Sequence, residues 1–256
     1  MLQLIGVIAL GIVFAILSNT TIDQTPKKRA YTTPSPYCPS CATKLSWKDM
    51  LPFWSFIRSK GKCPYCQAPL PLRHIIVDIT ELAWVTFYIL KFGWSYEGSM
   101  ALIFGMSLII IILLLNEKRE LNDSMLVILG MLAVINFLAY NPDRFPEAAL
   151  SMILGTIALA VYNLAKIFAT DDSQFELTEL KLGALLGLFL GIELGLVALF
   201  FALTGGAVIG SINIKFFNKT TREAVPQFAM LMVGAGLLTL LWGQDILTLY
   251  QSIVLR

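Results

Sequence analysis

Long apolar runs, broken by short polar stretches, cover nearly the whole chain. They occupy about 2–18, 75–92, 98–115, 124–140, 147–168, 182–213 and 228–250. About 20 apolar residues in an α-helix cross the hydrocarbon core of a bilayer, so each run predicts a transmembrane helix. The run 182–213 is too long for one crossing, and a split near Gly191–Gly195 makes it helices 6 and 7. The pattern therefore predicts an all-α polytopic membrane protein with about eight transmembrane helices. Residues 19–74 form the one long polar stretch.

Composition agrees. Of 256 residues, 57% are hydrophobic and 14% charged, against about 25% charged in a soluble domain. A net charge of +2 is too small to suggest a nucleic-acid partner, and its distribution says more than its sum. Residues 19–74 carry Lys27, Lys28, Arg29, Lys44, Lys48, Arg58, Lys60, Lys62 and Arg73 against only Asp23 and Asp49. The positive-inside rule puts this segment in the cytoplasm. With eight crossings, loops 116–123, 169–181 and 215–227 fall on the same side, and each contains Lys or Arg. The first apolar run has no basic n-region and no Ala-x-Ala-type cleavage site, so it reads as a retained transmembrane helix rather than a signal peptide.

All four cysteines lie in the polar segment, as Cys38-x-x-Cys41 and Cys63-x-x-Cys66, with Pro39 and Pro64 after the first cysteine of each pair. Two such knuckles can direct four thiolates at one tetrahedral Zn²⁺, with Zn–S of about 2.3 Å. Two disulfides, or four thiols without metal, are the alternatives; a reducing cytoplasmic side favours the metal. So short a segment cannot bury a self-sufficient core, and metal binding can supply the missing folding free energy. Trp47, Phe53, Trp54 and Phe56 between the knuckles read as the module's own core or as interface anchors. The expected domains are a first transmembrane helix at 1–18, a cytoplasmic Cys₄ zinc-knuckle domain at 19–74 and a seven-helix membrane domain at 75–256.

The residues around the knuckles resemble a known family. Cys38-Pro-Ser-Cys41, Leu45-Ser-Trp47-Lys-Asp49-Met-Leu-Pro52-Phe-Trp-Ser55-Phe, Gly61-Lys62-Cys63-Pro-Tyr-Cys66, Leu72-Arg73 and Val77-Asp78 are similar to motifs of the type IV prepilin peptidases. The resemblance implies a bacterial cytoplasmic (inner) membrane protein with its zinc domain in the cytoplasm. It also implies prepilin or pseudopilin substrates, whose basic leaders that family cleaves and whose new N-termini it often methylates.

The proteolytic motifs depart from the family. A membrane aspartic protease needs two adjacent carboxylates sharing one proton. In the family the first stands in a pattern like IDxxxxxIPDxLT; with Leu121-Asn122-Asp123-Ser124-Met125 aligned to IPDxL, its position is Leu115. The second stands in GxGDxKLLAALG. Here Lys181-Leu182-Gly183-Ala184-Leu185-Leu186-Gly187 matches the tail, while Glu176-Leu177-Thr178-Glu179 replaces GxGD. Glu179 is one methylene longer than aspartate, which displaces its carboxylate by about 1.5 Å where catalytic constellations tolerate about 0.5 Å. The expectation is a pseudoenzyme: a prepilin-peptidase-like protein binding pilin-like substrates, or pilus or type II secretion assembly components, without cleaving them. The alternative is an active aspartic endopeptidase with substitute acids, Glu179 first and Glu117, Glu120, Asp123 or Glu176 second. A retained methyltransferase is a third reading, with no glycine-rich cofactor loop to support it. His74 reads as an interfacial residue. Asp78 and Glu81, one turn apart on helix 2, read as a brace for the zinc module with Arg73 or a lysine as partner, or as a docking point for a basic leader.

Overall fold

The computed structural model describes residues 2–24, 41, 43, 58–59, 61–69, 73–117, 121, 123–170, 177–217 and 228–254. Among these residues there is no strand, only an isolated bridge between Lys62 and Pro69. The helices are α1 (Leu2–Gln24), α2 (Arg73–Phe92), α3 (Tyr96–Asn116), α4 (Asp123–Tyr140), α5 (Phe145–Thr170), α6 (Leu177–Phe217) and α7 (Phe228–Val254), with a 3₁₀ turn at Pro142–Arg144 before α5. Among the described residues four segments are long and apolar enough to cross a membrane: Gly98–Asn116, Pro142–Leu164, Leu177–Asn213 and Phe228–Ile253. Asp123–Ala139 is apolar but shorter. The protein is an all-α membrane protein. Its helices present large apolar side chains outward, among them Leu90, Val127, Ile157, Leu196, Phe200 and Val208. Such an exterior suits lipid, where only satisfied helical backbone is tolerated. The chain forms two compact units, Met1–Glu120 and Leu121–Arg256.

In the first unit α1 and α2 run antiparallel. Gly6 faces Trp94, Gly11 faces Leu82 and Val85, and Ser18 reaches Glu81, so position along α1 falls as position along α2 rises. Ala15, Ile22, Val77 and Val85 fill the seam. α1 runs six residues beyond its predicted end at 18. The polar residues that suggested an end at that point, Ser18 and Asn19, bond to α2 instead of leading into a loop. α2 turns into α3 through Gly93, at φ 70°, and Ser95, whose Oγ caps α3 by accepting from the Gly98 N–H at 2.9 Å. The Trp84 indole N–H donates to the Leu102 carbonyl at 3.2 Å, and its ring lies over Gly105, where any Cβ would collide with it. Met106, Leu108, Ile111 and Leu114 make α3 the buried member of this unit.

In the second unit small residues let α5 and α6 approach at backbone distance. A Cβ on Gly187 would stand 2.6 Å from the Ser151 carbonyl oxygen, and one on Gly155 3.1 Å from that of Gly183. Close approach through glycines is a common route to tight helix packing in lipid. α6 is interrupted at Gly191, whose φ of 74° and ψ of −176° are not helical. This falls within the predicted split. Gly183 and Leu199 would lie about 24 Å apart on a straight helix. Yet both line a cavity of about 390 Å³ together with Ser151 and Leu159, which are separated by only about 12 Å of α5. The chain therefore folds back after Gly191. α7 closes this unit through Gly243 under Leu194, Leu231 against Gly206, and Phe228 stacked on Tyr162 at 4.5 Å. Pro142 and Pro146 do not separate two helices by a long loop. Pro142 opens the 3₁₀ turn and Pro146 sits in the first turn of α5, where a missing N–H is harmless.

Several other hydroxyl groups inside the helices are satisfied locally. Ser107, Thr156, Thr204, Ser211 and Thr239 each donate to the carbonyl four residues earlier. This removes the cost of an unmet donor in an apolar medium.

Candidate functional site

The Cys63–Cys66 knuckle is held by its backbone. The Cys63 N–H donates to the Ala68 carbonyl at 2.8 Å, and the Gln67 N–H donates to the Cys63 carbonyl at 2.9 Å. The turn needs a left-handed residue, and Gln67 takes that conformation at φ 59°. Gly61, at φ 72°, enters the turn, and the Lys62 N–H donates to the Ser59 carbonyl at 3.1 Å. The sulfurs of Cys41, Cys63 and Cys66 all lie within 4.8 Å of one another. A tetrahedral thiolate site with metal–sulfur bonds of about 2.3 Å needs sulfurs about 3.8 Å apart, so these three can hold a metal ion with little adjustment. Cys63 is buried, Cys41 half-buried and Cys66 exposed. Cys38 and the aromatics Trp47, Phe53, Trp54 and Phe56 lie outside the described residues.

Just beyond the membrane-side ends of this segment, α1 and α2 carry two polar rungs. The Ser18 hydroxyl donates to Glu81 Oε1 at 2.7 Å, with both residues fully buried. The Asn19 amide donates to Asp78 Oδ1 at 2.8 Å. Asn19 is one partner of Asp78; the expected pairing of Asp78 with Arg73 or a lysine, and the side chain of His74, lie outside the described residues. Glu81 Oε2 is buried and accepts no hydrogen bond among the described residues.

The two residues that the resemblance sets at the catalytic positions, Leu115 and Glu179, fall one in each unit. Leu115, near the end of α3, is buried. Glu179 stands in the first turn of α6, where a carboxylate is favoured by the helix dipole. It does not lie on a solvated rim, the ordinary expectation for a loop glutamate, but is fully buried. Its Oε2 accepts from the Asn163 amide at 2.9 Å; the same amide donates to the Leu159 carbonyl at 3.1 Å. Of the substitute second acids, Asp123 is exposed and paired with Lys181 at 2.6 Å. Glu117 caps α3 in the other unit, and Glu120 and Glu176 lie outside the described residues.

Sequence reasoning gave no role to Asn163, Ser18 or Asn19. One signal was available: each is a polar residue within an otherwise apolar helix, and such residues in membranes bond to one another.

This combination is that of a membrane protein with a cysteine knuckle rooted between its first two helices. Residues 9–92 match the family model described as the bacterial peptidase A24 N-terminal domain. The chain is 25% identical to the prepilin leader peptidase/N-methyltransferase of Bacillus subtilis (strain 168) over 245 residues, 96% of each chain. It is 24% identical to the protein of that name from Pseudomonas aeruginosa over 232 residues, 90% of this chain and 79% of the relative. A match to the Myxococcus xanthus (strain DK1622) protein of that name, at 28% identity, covers 37% of this chain and only 28% of the relative. No solved structure matches. Along almost its whole length the chain is thus similar to prepilin leader peptidase/N-methyltransferases, and residues 9–92 match the N-terminal domain model.

Proposed function

We propose that this protein is a bacterial inner-membrane member of the prepilin peptidase family that binds prepilin-type substrates, or pilus or type II secretion assembly components, without cleaving them. The observation that carries the reading is the state of the two family positions. Position 115 is a buried leucine, which has no proton to give or take. Glu179 is enclosed and engaged by Asn163, where water activation needs an accessible carboxylate beside a second one. Asp123 is committed to Lys181.

In this reading Cys38, Cys41, Cys63 and Cys66 hold one Zn²⁺. The mutual approach of three of the sulfurs, all within 4.8 Å, supports it. The donor set, four thiolates in two knuckles, is that of a closed structural site, in which the metal contributes folding free energy and leaves no coordination position for catalysis. Residues 19–74 are cytoplasmic, and the membrane domain crosses eight times with α6 counted as two crossings on either side of Gly191. The reversal there supports the count. The first arm, 177–190, rises about 21 Å, so that crossing needs local thinning of the bilayer.

The test is cleavage of a prepilin with a basic leader by the purified protein in detergent, wild type beside Glu179→Gln. No cleavage, with retention of the prepilin or of an assembly component on co-purification, is expected. Specific cleavage by the wild type that disappears in Glu179→Gln would establish the active-protease alternative.

A further inference from the structure

We propose that the cavity between α5, α6 and α7 binds one acyl chain of an ester-linked membrane lipid, with the Ser151 hydroxyl donating to the ester carbonyl. The cavity measures about 390 Å³ and lies wholly within the second unit. It is open along Leu154, Ile157 and Leu196, all exposed. Ser151 carries the only polar side chain that lines it. That hydroxyl departs from the rule of the helices. Ser107, Thr156, Thr204, Ser211 and Thr239 turn back to the carbonyl four residues earlier. Ser151 makes no such bond, and no other among the described residues, although only 6% of it is exposed. Its Oγ reaches across to α6, 3.5 Å from where a Cβ on Gly195 would stand, and Gly195 lines the same cavity. A buried hydroxyl without an acceptor is costly in apolar surroundings, so the site calls for a ligand that supplies one.

Volume and polarity select the occupant. A buried water needs two to four polar partners, and apolar cavities stay dry. A partner's helix is about 10–12 Å across, so a 12 Å length of it would fill roughly 1,000 Å³, more than twice the space. An apolar cavity of about 150 Å³ takes up benzene, with six carbons, so in proportion this one takes about 15 carbons. Polarity is ordered along the groove as it is in a glycerolipid. Arg144 and Glu147, with charged groups 4.0 Å apart, mark the headgroup level at the start of α5. Gly191 lies at that level too, its Cβ position 3.8 Å from Glu147 Oε1, so the reversal of α6 closes this end of the groove. Ser151 lies about 9 Å along α5 from Phe145. The interfacial layer on each side of the hydrocarbon is about 5–8 Å thick, which sets Ser151 near its inner edge, where ester carbonyls lie. From Ser151 to Leu159 the groove runs about 12 Å deeper and offers only apolar side chains and glycines.

The experiment reconstitutes the full chain in vesicles of equimolar diacyl and dialkyl phosphatidylcholine, recovers it in mild detergent and counts retained lipid per chain by native mass spectrometry. Wild type should retain one phosphatidylcholine and prefer the diacyl form about fivefold, the scale of one neutral hydrogen bond. Ser151→Ala should still retain lipid but lose the preference. Gly195→Leu, whose Cβ meets only Ser151 Oγ at 3.5 Å, extends its side chain into the groove and should abolish retention. Val127→Leu, at an exposed position of α4, should not. If Gly195→Leu does not fold, the loss of preference in Ser151→Ala decides alone. Retention by Gly195→Leu equal to that of wild type, or a wild type that retains no lipid or shows no diacyl preference, would overturn the proposal. A benzophenone side chain in place of Leu196 should capture lipid on illumination of intact membranes; capture of a polypeptide instead would overturn it too.

Discussion

Replacing Asn163 by leucine should harm the protein more than replacing Glu179, the residue that the resemblance sets at a catalytic position. Asn163→Leu removes the donor that meets Glu179 Oε2 at 2.9 Å and leaves a fully buried carboxylate with less compensation. Hydrogen bonds to charged groups contribute about 1.5–3 kcal/mol in soluble proteins, and side-chain bonds between membrane helices average about 0.6 with a maximum near 1.7. The expected loss is therefore about 1–2 kcal/mol. Glu179→Leu removes the buried charge itself. The Asn163 amide then keeps its bond to the Leu159 carbonyl at 3.1 Å. The favourable placement of an acid in the first turn of α6 is lost, about 0.5 kcal/mol, and relief of desolvation opposes it. The net change should lie within about 0.5 kcal/mol of zero, the scale of a neutral substitution. Denaturation in mixed micelles, with the two single variants and the double, gives the coupling directly. A double variant close to Glu179→Leu in stability is expected. The reasoning is refuted if Glu179→Leu is the more destabilising change, or if Asn163→Leu leaves stability untouched.

Other outcomes follow from the same geometry. Cys63→Ser should reduce the yield of folded protein and abolish zinc retention; a stable variant that keeps one zinc per chain by elemental analysis would rule out the Cys₄ site. Gly187→Ala should cost about 1–3 kcal/mol in the same micelle assay, because its Cβ would stand 2.6 Å from the Ser151 carbonyl oxygen and neither backbone has room to yield. Gly130→Ala, with nothing within 4 Å of the added Cβ, should not destabilise. Reporter fusions should read outside when placed near residue 191 and cytoplasmic near residue 222; a cytoplasmic signal at 191 would remove the crossing assigned to the first arm of α6.

Much of this architecture is local and therefore legible in the chain. Apolar runs of about 20 residues define where helices lie, and α2, α3, α4, α5 and α7 begin or end within a few residues of the runs that predict them. The break in the longest run also has a local cause: only glycine adopts the φ of 74° found at Gly191 without strain, and the run offers glycines at that point. The cysteine spacing carries the convergence of Cys41, Cys63 and Cys66, since two knuckles of this kind have few other arrangements. The chemistry absent from position 115 is likewise evident from the residue alone.

What one helix does to another is decided by register, and register is not local. Ser18 and Asn19 look like the polar end of a helix. Only the antiparallel pairing with α2, some 60 residues later, turns them into donors for Glu81 and Asp78 and lets α1 run on to Gln24. Glu179 sits at the polar edge of an apolar run, where sequence leaves it as a solvated acid. Packing of α6 on α5 buries it and brings Asn163 to it. The periodicity of a membrane helix tells little about which face meets a neighbour, because lipid and protein interior are equally apolar. Sequence by itself thus determined the number and place of the apolar segments and the grouping of the cysteines in two knuckles. Tertiary structure alone decided which polar groups meet between the helices, because those bonds depend on how two apolar surfaces slide together.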